Sequence, residues 1–187
     1  MSSSRISVEQ IKDELQLVRF SDRFRINDFV SGIEEYDLFI KKYAKEYDDK
    51  AISATHLLVS KKNADIISYM TLSSASIGVT PEERKNSDIE EIFFNSFPAI
   101  KVGKLAVDSN YRTKYKGIGS LMITLARGFA VDSVRFGIAC RFIVVDADVE
   151  NDPEVVEFYR KNGFLANERY SGKSQKTVSM RLDVFLQ

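Results

Sequence analysis

The sequence predicts an α/β chain, a mixed (α+β) central β-sheet flanked by helices, and three observations carry that reading. Runs rich in β-branched and aromatic residues alternate with amphipathic helical patterns. Phe142-Ile143-Val144-Val145 is apolar at four consecutive positions, as a strand buried on both faces requires. A strand, a basic glycine-containing loop and a helix follow one another from Val102 to Ala130.

Each element has its own signal. Ser7-Val8-Glu9-Gln10 reads as a capping box opening a helix with Val8, Ile11, Leu15 and Val18 at helical spacing. After Ser31-Gly32, a second helix carries Ile33, Tyr36, Ile40, Tyr43 and Tyr47 on one stripe. His56–Val59 and Ile66–Leu72, separated by a polar stretch, predict a hairpin. Gly78–Pro98 reads as a partly helical insertion, with Phe93, Phe94 and Phe97 serving as either a dimer contact or a cover on the sheet. Ile100–Val107 is the next strand, and Gly117–Ala130 a helix with the stripe Ile118, Leu121, Met122, Leu125 and Phe129. Asp152-Pro153 is expected to start a helix that ends at Asn162-Gly163. Two strands, Phe164–Tyr170 and Thr177–Val184, then close the fold.

Composition narrows the function classes. The 187 residues suit one domain over 1–187, and 44% hydrophobic residues with only nine Gly and three Pro exclude a disordered or collagen-like chain. No apolar run approaches the roughly 20 residues that cross a bilayer, and Met1–Gln10 lacks a signal peptide's apolar stretch, so a cytoplasmic protein without membrane contact is expected. Lys plus Arg and Asp plus Glu both number 27, giving no global attraction for nucleic acid. Cys140 and His56 are the only residues of their types, which argues against disulfides, a metal site and Cys–His or Ser–His–acid catalysis. Cys140 reads as a structural thiol and His56 as a packed or surface imidazole.

The chemistry concentrates after Val102. A helix start offers unpaired amides and the positive end of its dipole, and glycine lets an anion approach the backbone. Arg112, Lys114 and Lys116 add charge there. A P-loop would have Lys directly after its second Gly, where Ser120 stands, and a dinucleotide fingerprint would have Gly at Met122.

Lys114-Tyr115-Lys116-Gly117-Ile118-Gly119 instead resembles the pyrophosphate loop of the GNAT superfamily of N-acetyltransferases, and Phe158-Tyr159-Arg160-Lys161-Asn162-Gly163-Phe164 resembles its second signature. The order of strand, loop, helix, strand and signature from Ile100 to Phe164 matches as well. The resemblance implies the GNAT acyl-CoA N-acyltransferase fold, acetyl-CoA as cosubstrate and a small-molecule or peptide amine as acceptor. It further implies that Leu105, Ala106 and Val107 pair with the pantetheine arm and that the amides of Tyr115, Lys116, Gly117, Ile118, Gly119 and Ser120 hold the pyrophosphate. Tyr159 is the expected general acid, and a backbone N–H near Val107 the expected oxyanion donor. Lys114 replaces the family's usual Arg or Gln, and Asp152 stands where relatives often carry a cofactor-binding Asn, with Asn151 one residue earlier.

Phe29–Ala44, Ala54–Val59 and Tyr69–Ser73 also resemble GNAT toxins of bacterial toxin–antitoxin pairs, which implies aminoacyl-tRNA as an alternative acceptor. A non-catalytic acyl-CoA-binding or interaction module is the third reading. Glu90-Glu91 and Asp146/Asp148 are candidate carboxylates on the acceptor side.

Overall fold

A computed structural model describes residues 13–170, 172 and 175–186. The strands among the described residues are β1 (Leu15–Arg19), β2 (Ala54–Ser60), β3 (Ile66–Ile77), β4 (Phe97–Val107), β5 (Phe142–Asp148), β6 (Leu165–Ala166) and β7 (Thr177–Asp183). They form one mixed sheet in the order β1-β2-β3-β4-β5-β7-β6, with β4 and β5 parallel and β1/β2, β2/β3, β5/β7 and β6/β7 antiparallel. The helices are α1 (Glu34–Leu38), continued by a π-helical Phe39–Tyr43 and α2 (Ala44–Asp49), then α3 (Pro81–Asn86), α4 (Ser109–Arg112), α5 (Ile118–Arg135) and α6 (Val155–Lys161). The mixed sheet with flanking helices is the architecture the sequence predicts. No helix among the described residues is long and apolar enough to cross a membrane.

The chain divides into two compact units, residues up to Ser73 with Gly103–Thr124, and Ser74–Val102 with Leu125 onward. The first is centred on Phe29, Phe39, Ile40, Ala44, Leu57 and Tyr69. Tyr69 stacks on Phe39 at 6.3 Å, meets Phe29 edge-on at 5.4 Å and donates its hydroxyl to the carbonyl of Tyr36 at 2.9 Å. Burial holds that phenol far above its ordinary pKa. In the second unit Ile77, Val79, Ile89, Phe97, Ala99, Phe142 and Val144 pack together, with Phe97 edge-on to Phe142 at 6.2 Å. Phe97 thus covers the sheet, whereas Phe93 and Phe94 are exposed.

Several expectations are corrected. Part of the first predicted helix lies outside the described residues, and its last part is strand: Leu15–Arg19 pairs with His56–Ser60. Leu15 and Val18 fit helical spacing, but the backbone of this stretch pairs with β2, and tertiary pairing overrides a short periodic signal. The π turn inserts a register shift into the second helix, burying Phe39, Ile40 and Ala44 and leaving Tyr43 and Tyr47 exposed. In α5 the deepest residues are Ile118, Met122, Ile123, Ala126 and Ala130, while Leu121, Leu125 and Phe129 are half-buried. Helix α6 begins two residues after Pro153, because the Asp152 carboxylate accepts the Glu154 N–H at 3.0 Å in a turn preceding the helix. The expected Phe164–Tyr170 strand shrinks to Leu165–Ala166, followed by a 3-10 turn at Glu168–Tyr170.

Candidate functional site

The end of β4 presents a one-sided strand edge. The Lys104 N–H donates to Thr71 Oγ1 at 2.9 Å, the Ser68 hydroxyl donates to the Ala106 carbonyl at 2.7 Å, and the Asp108 N–H donates to the Ile67 carbonyl at 2.9 Å. Residues 104, 106 and 108 therefore turn their backbone groups toward β3, and strand alternation turns those of Gly103, Leu105 and Val107 the other way. The register of β4 with β5 ends at Val102–Val145, so these three have no described β5 partner in register. The Val107 carbonyl is approached by the Arg112 guanidinium at 3.4 Å, so its N–H is the Val107 group that edge offers a ligand, beside the backbone groups of Gly103 and Leu105. Gly103 is required here, since an added Cβ would stand 2.8 Å from the buried Thr71 Oγ1.

Asp108 fixes the exit of the strand. Its carboxylate accepts the Asn110 N–H at 2.8 Å, capping α4, and the Val30 N–H at 2.9 Å, while the Ser109 N–H donates to the Val30 carbonyl at 2.8 Å. The loop then turns on Gly117, whose φ of +91° is left-handed and whose missing Cβ would meet nothing within 4 Å. Open space at this glycine leads into the first turn of the 18-residue α5, where amides lack intrahelical acceptors and the dipole is positive.

The loop's side chains separate. Tyr115 is buried, stacks on Tyr111 at 6.0 Å and donates its hydroxyl to Glu14 at 2.7 Å, and the Tyr111 hydroxyl donates to Asp65. Lys114 lies over both rings, 4.7 Å from Tyr115 and 5.8 Å from Tyr111, and Arg112 donates to the Ser31 carbonyl at 3.1 Å. Two of the three expected cations thus brace the loop, and Lys116 stands exposed. Another lysine escaped the sequence reading: Lys104 sits 4.6 Å over the Tyr36 ring and 2.6 Å from Glu35. No local signal links residues 69 positions apart.

In the other unit, α6 carries Tyr159. Gly163, at φ +87°, stops the helix through Gly163 N–H to Arg160 and Phe164 N–H to Tyr159 carbonyl bonds of 2.9 and 3.0 Å. That reversal sets Phe164 edge-on to Tyr159 at 5.2 Å, opposite Phe158 at 5.1 Å. Burial, with the charge of Asp148 second, raises the Tyr159 phenol above its ordinary range, so it keeps its proton across physiological pH. No described residue accepts that proton. Asn151 does not stand alone, since its amide donates to Asp148 at 2.7 Å and its N–H to the same carboxylate at 3.2 Å.

The remaining candidates are placed plainly. The Cys140 thiol is buried, donates to the Phe142 carbonyl at 3.5 Å and is pushed up by burial, as a structural thiol is. Glu90 and Glu91 are exposed, and no group of metal-ligating residues occurs among the described residues. Burial and the nearby Arg19 lower the pKa of His56. Its folded value lies below its unfolded one of about 6.5, so protonation favours the unfolded chain and stability falls as pH drops below about 6.5. Urea denaturation at pH 7.5 and 5.0 should show a smaller loss for His56→Gln than for the wild type; equal losses would assign the acid limb to carboxylates alone.

No family model matches the sequence, and no curated protein matches it. Solved structures do. The chain superposes on a tyrosine-to-phenylalanine mutant of KacT with TM-score 0.73 and 20% identity, covering 91% of this chain and 95% of that one. It superposes on AtaT complexed with acetyl-methionyl-tRNAfMet at TM-score 0.70 and 18% identity, covering 89% and 94%. With AtaTR bound to acetyl-CoA the values are 0.70 and 18%, over 92% and 95%. The fold is the one these toxins share.

Proposed function

We propose, from a chain with the fold of KacT and AtaT, that this protein is an N-acetyltransferase that moves acetyl from acetyl-CoA to a primary amine. The observation that carries the reading is the backbone edge of Gly103, Leu105 and Val107 running into the open turn at Gly117 and the start of α5. A pantetheine arm is a chain of amides that a free strand edge can pair, and a pyrophosphate suits a helix start reached through glycine. The likeness to AtaTR bound with acetyl-CoA supports the same cosubstrate here. The residues present fit it: Leu105 and Val107 would hold the arm, and the amides of Gly117 to Ser120 the pyrophosphate.

Acetyl-CoA supplies an acyl group activated as a thioester. The Val107 N–H would stabilise the oxyanion formed as the free acceptor amine adds to the carbonyl; as the C–S bond breaks, Tyr159 would give its proton to the thiolate, and the proton that the amine nitrogen sheds to water would be made good on the phenolate from solvent. A phenol held protonated by burial is suited to that role. Asn151, held by the Asp148 carboxylate at 2.7 Å, would contact the cosubstrate. For the acceptor, the likeness to AtaT complexed with acetyl-methionyl-tRNAfMet favours the amino group of an aminoacyl-tRNA.

Calorimetry with acetyl-CoA tests the carrier site. Wild type should bind, and Gly117→Glu, which sets a carboxylate beside the pyrophosphate, should bind at least about 100-fold more weakly, since opposed like charges cost several kcal/mol. The new side chain meets open space, so the variant should stay folded with a penalty of about 1–2 kcal/mol for its left-handed backbone. A folded wild type that does not bind acetyl-CoA would leave the interaction module as the better reading.

A further inference from the structure

Residues 113–117, which join α4 to α5 in the first unit, belong to neither helix nor strand, yet Gly117 holds one left-handed conformation that opens on the first turn of α5. A connection without ladder hydrogen bonds is drawn from the low-stability end of a fold unless its side chains are buried or bonded. Two tyrosines supply those bonds. The Tyr115 N–H closes a turn onto the Tyr111 carbonyl at 2.9 Å, and the two rings stack with planes 14° apart. Their hydroxyls then reach separate carboxylates: Tyr111 donates to Asp65, and Tyr115 to Glu14 at 2.7 Å. Both carboxylates belong to one frame at the end of β2, because the Ser60 N–H donates to the Asp65 carbonyl and the Lys61 N–H to the Glu14 carbonyl, each at 2.9 Å. Asp65 is held further by the Asn63 side-chain amide at 2.6 Å and the Arg25 guanidinium at 3.1 Å.

We propose that this stacked pair is a positioning device: Tyr111 and Tyr115, braced by Asp65 and Glu14, hold the turn at Gly117 in the form a diphosphate needs before the diphosphate arrives. The proposal rests on the acetyltransferase reading for the identity of the anion and on the brace alone for the shape of the turn. Tyr111, Asp65 and Glu14 act through Tyr115 and Gly117 and are positioning residues. A turn shaped in advance spares the ligand the cost of ordering it, and the saving appears as affinity. The effect is confined to the diphosphate end of the cosubstrate, because the strand edge at Leu105 and Val107 is set by the bonds of Ala106 and Asp108 to β3 and not by the tyrosines.

Three probes separate the parts: acetyl-CoA by calorimetry, S-acetylpantetheine by ligand-detected NMR and inorganic pyrophosphate by phosphorus NMR. Tyr111→Phe keeps the stack and loses the bond to Asp65, and Glu14→Ala frees the Tyr115 hydroxyl without altering its ring. Each variant should weaken acetyl-CoA about threefold and the double variant at least about tenfold, as lost preorganisation does. S-acetylpantetheine, which has the amide arm and no diphosphate, should bind the variants within about twofold of wild type, a result that general misfolding cannot produce. A loss of acetyl-CoA affinity below about threefold in the double variant, or S-acetylpantetheine weakened in parallel, overturns the brace and leaves the acetyltransferase reading standing. A wild type that binds pyrophosphate but not acetyl-CoA, with pyrophosphate lost in the double variant, keeps the brace and overturns that reading instead. A folded wild type that binds neither overturns both.

Discussion

Tyr159→Phe should keep acetyl-CoA affinity and lose about 10²- to 10⁴-fold in turnover, the range over which a positioned proton donor acts. The ring stays where it is, because its packing is edge-on to Phe158 and Phe164 and does not involve the hydroxyl. No described residue loses a hydrogen bond when the hydroxyl goes, so the variant should unfold within about 1 kcal/mol of wild type. Only the proton for the thiolate is lost. The phenol's upward shift makes a second, independent statement: this acid stays protonated beyond its ordinary value of about 10, so kcat should show no alkaline limb from Tyr159 between pH 7 and 9.5. Stopped-flow or thiol-release assays over that range read both quantities. Turnover within threefold of wild type would remove Tyr159 from the mechanism.

The largest effect on stability is expected at Glu83. Its side chain is 3% exposed and its carboxylate accepts from Arg181 at 2.5 Å, from the Thr80 N–H at 2.6 Å and from the Glu168 N–H at 2.9 Å. It closes the capping box of α3 and at the same time ties that helix to β7 and the 3-10 turn that presents Tyr170. Among the described residues Arg181, 5% exposed, otherwise reaches the Ala166 carbonyl and Asn167 Oδ1. Removing the anion leaves a buried cation without its counter-charge, which typically costs about 3–5 kcal/mol. Glu83→Gln should therefore lower the urea-unfolding free energy by that amount and Tm by about 6–20 °C. The double variant Glu83→Leu/Arg181→Met should recover part of the loss, because an apolar pair has no charge to desolvate, while the Thr80 and Glu168 N–H groups still lose their acceptor. A single-variant loss below 1 kcal/mol would mean that water reaches the pair.

Local chemistry determined much of the site. The strand into the Gly117 turn, the start of α5, the buried β5 and the Gly163 stop were each written in short stretches, where glycine at positive φ and helical or strand periodicity act within a few residues. The same stretches carry the resemblance from which Tyr159 and the pyrophosphate loop were named. Tertiary structure decided the rest. Leu15–Arg19 became strand because β2 offered its edge, and the π turn moved Tyr43 and Tyr47 off the buried stripe. Arg112 and Lys114 were expected to face a phosphate, yet the Ser31 carbonyl and two tyrosine rings engage them. Glu83 and Arg181 are 98 residues apart and Lys101 and Asp146 are 45 apart, so neither pairing leaves a trace in any local window. Short-range conformational preference is set by each residue's own backbone and neighbours, whereas the partner of a charge is chosen by which strands the sheet sets side by side.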